Sequence, residues 1–92
     1  MKQYLNKDQT AKLIELGFPR PKPSFYQNGA TWIQCDGNYS IGELIELLND
    51  HLYHIDKDYK WYVDVGQCSF TAQELIDVLF KACITLKEEG VI

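Results

Sequence analysis

His51-Leu-Tyr-His54 sets two imidazoles three residues apart, and Asp50, Asp56 and Asp58 lie close by. Two imidazoles and a carboxylate form a ligand set that zinc or another divalent cation accepts. On a continued helix the two histidines stand about 60° apart around the axis. His51 then falls near the apolar side and His54 near the polar side, which suits joint ligation poorly. The simpler reading is a pair of helix-end histidines, favoured by the macrodipole and by solvent. His51 and His54 are thus weak metal candidates, and no cofactor is expected.

Thiol chemistry is the next possibility. Cys35, Cys68 and Cys83 form no C-x-x-C pair, and an odd count fits a disulfide framework poorly. All three are expected to be reduced. A nucleophile needs an adjacent base that a third group orients. Only Cys35 or Cys68 with His51 or His54 would supply that pair, and neither cysteine sits in a recognisable nucleophile motif. Cys68 reads as part of a loop entering a helix, where the helix N-terminus would lower its pKa. Cys83 falls among the apolar residues of the last helix and reads as a small buried hydrophobe. Glu43, Glu46 and Asp50 offer carboxylates for acid–base work, but they share the solvent side of a helix. No glycine-rich phosphate loop is present. No catalytic residue is assigned, and the chain reads as non-enzymatic. The alternative is a small metal- or thiol-dependent enzyme using His51, His54 and a cysteine.

Three helices and three strands would have to position these groups. Asn6 to Leu16 reads as a helix with an Asn6–Gln9 capping box and a stop at Gly17. Pro19-Arg-Pro-Lys-Pro23 follows as a stiff extended connector. Ser24 to Cys35 reads as a hairpin about Asn28-Gly29, a turn in which both residues need positive φ. That turn sets Gln27 against Ala30, Tyr26 against Thr31 and Phe25 against Trp32. Ser40 caps the second helix with Glu43 as its box partner, and Tyr39 and Leu44 form the staple. Ile41, Leu44, Ile45, Leu48 and Leu52 share its apolar face. His51 to Lys60 lacks clear periodicity and reads as a frayed helix end and a loop. Trp61-Tyr-Val-Asp-Val65 alternates as a strand does. The last helix runs from Ala72 to about Glu89, with Thr71 as N-cap, Glu74 in a capping box, a Phe70–Leu75 staple and Gly90 as terminator. Its apolar arc, which includes Ile76, Leu79, Ala82, Cys83 and Leu86, is too wide for a helix lying on a surface. It should be covered from more than one direction.

The expected fold is α+β in the order α-β-β-α-β-α, with a three-stranded, mainly antiparallel sheet and the long C-terminal helix central. The length of 92 residues implies one domain over residues 1–92. A net charge of −4 argues against nucleic-acid binding, which needs a basic face. The N-terminus has no apolar h-region, and no apolar run approaches the roughly 18 residues of a membrane span. Those features and the unpaired cysteines point to a cytoplasmic protein with no membrane partner.

Tyr39-Ser-Ile-Gly-Glu-Leu-Ile-Glu-Leu-Leu48 echoes Phe70-Thr-Ala-Gln-Glu-Leu-Ile-Asp-Val-Leu79. One echo is too few to establish a repeat, and two capped amphipathic helices sharing one grammar explain it. With Trp61 between those helices and the closing Leu86-Lys-Glu-Glu-Gly-Val-Ile92, the chain resembles small uncharacterised proteins from prophage and mobile-element regions of gut Bacteroidetes. The resemblance covers roughly Tyr39 to Ile92 and rests on helix grammar and packing residues. It carries over no site residue. It implies a cytoplasmic accessory protein of phage origin.

The aromatic share of 13% suits either an aromatic-rich core or a partner surface. Phe25, Trp32, Trp61, Val63 and Val65 are assigned to the helix side of the sheet. Tyr26, Ile33 and Tyr62 then lie on the open side, rimmed by Ser24, Thr31 and Asp64. An aliphatic residue between tyrosines has the composition of an interface core. This patch is the expected meeting place with a protein partner or a second copy. If the two faces are reversed, the patch is Phe25 and Trp32 instead.

Overall fold

The first helix, α1 (Lys7–Glu15), starts where its cap dictates. Gln9 N–H donates to Asn6 Oδ1 at 2.8 Å, and Asn6 N–H donates to Gln9 Oε1 at 3.0 Å. The computed structural model describes the backbone of every residue but Asp36, and every other side chain except those of Ser24, Tyr26, Gln34 and Cys35. Strands β1 (Ser24–Asn28) and β2 (Thr31–Cys35) precede α2 (Ile41–Leu48). A single 3-10 turn, Asn49–His51, leads into β3 (Leu52–Lys57), β4 (Trp61–Val65), β5 (Cys68–Ala72) and α3 (Leu75–Glu88). The chain is α+β, and the expected succession of helices and strands is present. Two strands that were not expected, β3 and β5, flank β4.

The single sheet divides into two. The hairpin β1–β2 is a sheet of its own, and β3-β4-β5 form an antiparallel meander. The hairpin turn also sits one residue later than expected, which moves each cross-strand partner by two. Asn28 pairs with Thr31, Gln27 with Trp32, Tyr26 with Ile33 and Phe25 with Gln34. The turn is Gly29-Ala30, with φ of +66° at Gly29 and no positive φ at Ala30. Only glycine is asked to leave the ordinary region, as in a type II′ turn, and Asn28 is spared the positive φ that an Asn-Gly turn imposes.

The segment read as a loop, His51 to Lys60, contains β3. Tyr53 is an extra residue in the ladder, because Leu52 pairs with Val65 while His54 pairs with Asp64. The bulge puts Leu52 and Ile55 on one face although they are three positions apart, and so it hides the period of two. The start of α3 also moves. Thr71 and Ala72 of β5 pair with Tyr62 and Trp61 of β4, and the helix begins at Leu75 with Glu74 as an N-cap that makes no side-chain capping bond. The tight Gly66-Gln67 turn zips the β-branched and aromatic residues of 68–72 onto β4, and that ladder outweighs a local cap. At the other end Gly90, at φ +76°, closes a Schellman motif: Val91 N–H donates to the Leu86 carbonyl and Gly90 N–H to that of Lys87.

The core forms around α3. Leu75, Ile76, Val78, Leu79, Ala82, Cys83 and Leu86 are buried, and α3 packs on α2, β4 and β5 and more lightly on α1. Val63 and Val65 face it from the meander, with Trp61 partly buried beside them. The proline connector is tied down from α2. Tyr39, itself buried, donates its hydroxyl to the Pro19 carbonyl, and Lys22 N–H donates to Glu43 Oε2 at 3.0 Å. A side chain at Gly37 would run into the Lys22 carbonyl, so glycine permits this close approach.

Candidate functional site

The histidines come apart in the fold. His51 sits half-buried in the 3-10 turn, where its carbonyl accepts from Gly66 N–H at 2.7 Å. His54 lies on β3, past the bulge, with its side chain 61% exposed. Its acidic neighbour is Asp56, with Nε2 and Oδ2 3.9 Å apart between two exposed side chains. A pair of that kind contributes about 0–1 kcal/mol. Among the described residues no group of three or more His, Cys, Asp or Glu side chains is placed to hold a metal ion.

The outer face of the meander does bring a serine, an aspartate and a histidine into one row. The register sets His54 beside Asp64 and Asp64 beside Ser69. Ser69 Oγ donates to Asp64 Oδ1 at 2.6 Å. The order is wrong for catalysis, however. A hydroxyl nucleophile needs the imidazole next to it to accept its proton, and here the carboxylate holds that place.

The cysteines follow suit. Cys68 opens β5 opposite Val65, so it does not stand at a helix N-terminus. Cys68 and Cys83 are free thiols, and the Cys35 side chain lies outside the described residues. Burial pushes the Cys83 thiol up to about 12. Of the three carboxylates, Glu43 is committed to structure. It accepts from Ser40 N–H at 3.1 Å through one oxygen and from Lys22 N–H through the other. Glu46 and Asp50 are exposed.

A cavity of about 670 Å³ lies between α1 and the proline connector, lined by Lys7, Thr10, Ile14, Arg20, Pro21 and Asn38 among others. Lys7 and Arg20 are exposed. The Thr10 hydroxyl is out of solvent reach and has no partner among the described residues. Two exposed cations at the rim and one enclosed hydroxyl do not by themselves define a ligand position.

The expected interaction patch is split between the sheets. Tyr26 and Ile33 pair across the hairpin, whereas Tyr62 belongs to the meander. The Tyr26 side chain lies outside the described residues, and Ile33 is half-buried. Tyr62 is engaged locally. Its pKa is raised, first by a hydrogen bond with Tyr59, and Lys60 Nζ lies 5.7 Å from its ring centroid. The assignment of Phe25 and Trp32 to the helix side is overturned. They are 59% and 65% exposed, and the register sets both on one face of the hairpin.

Among the described residues, none of the hairpin belongs to the hydrophobic core or to the partly buried apolar shell around it. No charged residue occurs from Ser24 to Cys35, a run of twelve in a chain that is 24% charged. That run is the sequence signal which would have singled out the hairpin. No family model, curated protein or solved structure matches the chain. Among the described residues no helix is long and apolar enough to cross a membrane.

Proposed function

We propose that this chain is a protein-interaction module and that the β1–β2 hairpin is its working element. One observation carries the reading: an uncharged hairpin, none of whose described residues belongs to the core, exposes Phe25 and Trp32 on one face. An isolated two-stranded hairpin is marginal in water, and a third strand or a packing partner makes it stable. Among the described residues no helix makes extensive contact with it, as α3 does with β4 and β5. Large aromatic residues are the side chains that dominate protein interfaces when buried at their centre. The accessory role implied by the resemblance to mobile-element proteins agrees with this reading. Among the described residues, the histidines and cysteines lend the enzyme alternative no comparable geometry.

The test is the double variant Phe25→Ser/Trp32→Ser. Both side chains lie outside the core, so its thermal midpoint should match that of the wild type. It should lose the associations that wild type makes, with itself or with other proteins, in cross-linking at matched concentration. A double variant that keeps every association would end this reading. So would a large drop in midpoint, since the rings would then be structural.

A further inference from the structure

We infer that the hairpin's partner is a second copy of this chain, joined along the free edge of β2 into a four-stranded sheet in the order β1-β2-β2-β1. The inference rests on the interaction-module reading and names its occupant.

The backbone comes first. A two-residue turn makes its closing pair, Asn28 and Thr31, a hydrogen-bonded one, and bonded and non-bonded pairs then alternate along an antiparallel ladder. Tyr26–Ile33 and Ser24–Cys35 therefore exchange bonds, while Gln27–Trp32 and Phe25–Gln34 do not. The N–H and C=O groups of Trp32 and Gln34 point out of the β2 edge, and those of Phe25 and Gln27 point out of the β1 edge.

The meander shows how this molecule treats an edge that must stay unpaired. β3 carries a bulge at Tyr53 and the polar run His54, Asp56 and Lys57. On β5 the Thr71 carbonyl accepts from Lys81 Nζ at 3.4 Å. Bulges, charges and covering groups are the devices that keep sheet edges from pairing. The hairpin has no charged residue between Ser24 and Cys35, and its ladder runs without a register shift.

Charge selects the occupant. Across a twofold axis a residue near the axis meets its own copy, so any charge there meets a like charge. An edge without charge escapes that penalty, and the remainder of this chain is acidic. Of the two edges, β2 supplies Thr31, Trp32 and Ile33, which favour strands, whereas β1 contains Asn28 and follows Pro23. Joining two β2 strands also brings the Phe25 and Trp32 rings of both copies onto one face. Edge pairing of two five-residue strands buries less surface than an interface of standard size. The dimer is therefore weak and depends on concentration.

Sedimentation equilibrium from dilute to near-millimolar protein tests this. Wild type should show a twofold rise in mass as concentration increases. Gln34→Pro removes one outward N–H of β2 and leaves the β1–β2 ladder whole, because proline is tolerated where an edge N–H faces out. It should stay monomeric throughout. Gln27→Pro makes the matched change on the β1 edge and should dimerise as wild type does. Circular dichroism confirms that both variants are folded. A wild type that is monomeric at every concentration overturns the inference, as does loss of dimer in Gln27→Pro but not in Gln34→Pro. If wild type is monomeric but Phe25→Ser/Trp32→Ser abolishes an association with a different protein, self-pairing is wrong and the module reading stands. If the double variant abolishes none, both fall.

Discussion

Cys83 has no solvent exposure, and desolvation holds its thiol at about 12 against an ordinary value of 9.0. An acid whose pKa folding raises keeps its proton in the native state after the unfolded chain has lost it. Above the ordinary thiol pKa the unfolded state binds fewer protons, so stability falls as pH rises from there toward the folded value. Below that window the group adds no slope. Tyr39 works in the same direction, its hydroxyl raised first by burial and then by Glu43. The urea midpoint should decline between about pH 9 and pH 12, and more gently in Cys83→Ala. Equal slopes in the two proteins would show that the thiol is not shielded. Because the thiolate is the reactive form, a thiol reagent at neutral pH should modify Cys68 well before Cys83. The His51–His54 pair shows the opposite limit: a spacing that could be chemistry on a helix is separated once one residue enters a turn and the other a strand.

Elements with the same local grammar can meet different fates. In the stretch Tyr39–Leu48 the Ser40 hydroxyl accepts from Glu43 N–H at 3.2 Å, and the helix starts as its sequence says. In the echoing stretch Phe70–Leu79, Thr71 is taken into β5 opposite Tyr62, and Glu74 instead accepts from Lys2 N–H. Substitution to valine separates the two cases. Ser40→Val removes an N-cap and should cost about 1 kcal/mol, within a range of 0.5–2. Thr71→Val keeps a β-branched residue in a strand and should stay within about 0.5 kcal/mol of wild type. Denaturant midpoints measured on both decide the matter. An equal loss in the two would mean that Thr71 caps a helix in solution.

At the scale of the molecule, stability is unevenly shared. Val63 and Val65 of β4 are fully buried against α3, whereas the described residues of the hairpin contribute nothing to that core. Local opening is easiest where few apolar contacts are lost. In dilute protein the amide protons of Tyr26 and Ile33 should therefore exchange well ahead of global unfolding. That of Val63 should exchange only with it. Matching protection for hairpin and meander in hydrogen-exchange NMR would show that the hairpin is bound into the core after all.

What the sequence determined by itself was local. The Asn6–Gln9 and Ser40–Glu43 boxes, the stop at Gly90, the strand Trp61–Val65 and the buried arc of α3 each depend on residues a few positions apart. Side-chain size, capping geometry and period suffice for them. The tertiary structure decided whatever rests on a distant partner. Asn28-Gly29 and Gly29-Ala30 both satisfy a tight turn, so the hairpin register follows from which cross-strand pairs form. Leu52–Lys57 has too irregular a pattern to declare itself, and it becomes β3 because β4 offers a ladder that absorbs the Tyr53 bulge. Thr71 satisfies the rules for a cap and for a strand alike, and the Gly66-Gln67 turn brings β4 near enough for the strand to win. Division into two sheets is the largest such decision. Once β3 and β5 take both edges of β4, that strand has no edge left for the hairpin, and Phe25 and Trp32 are left facing solvent.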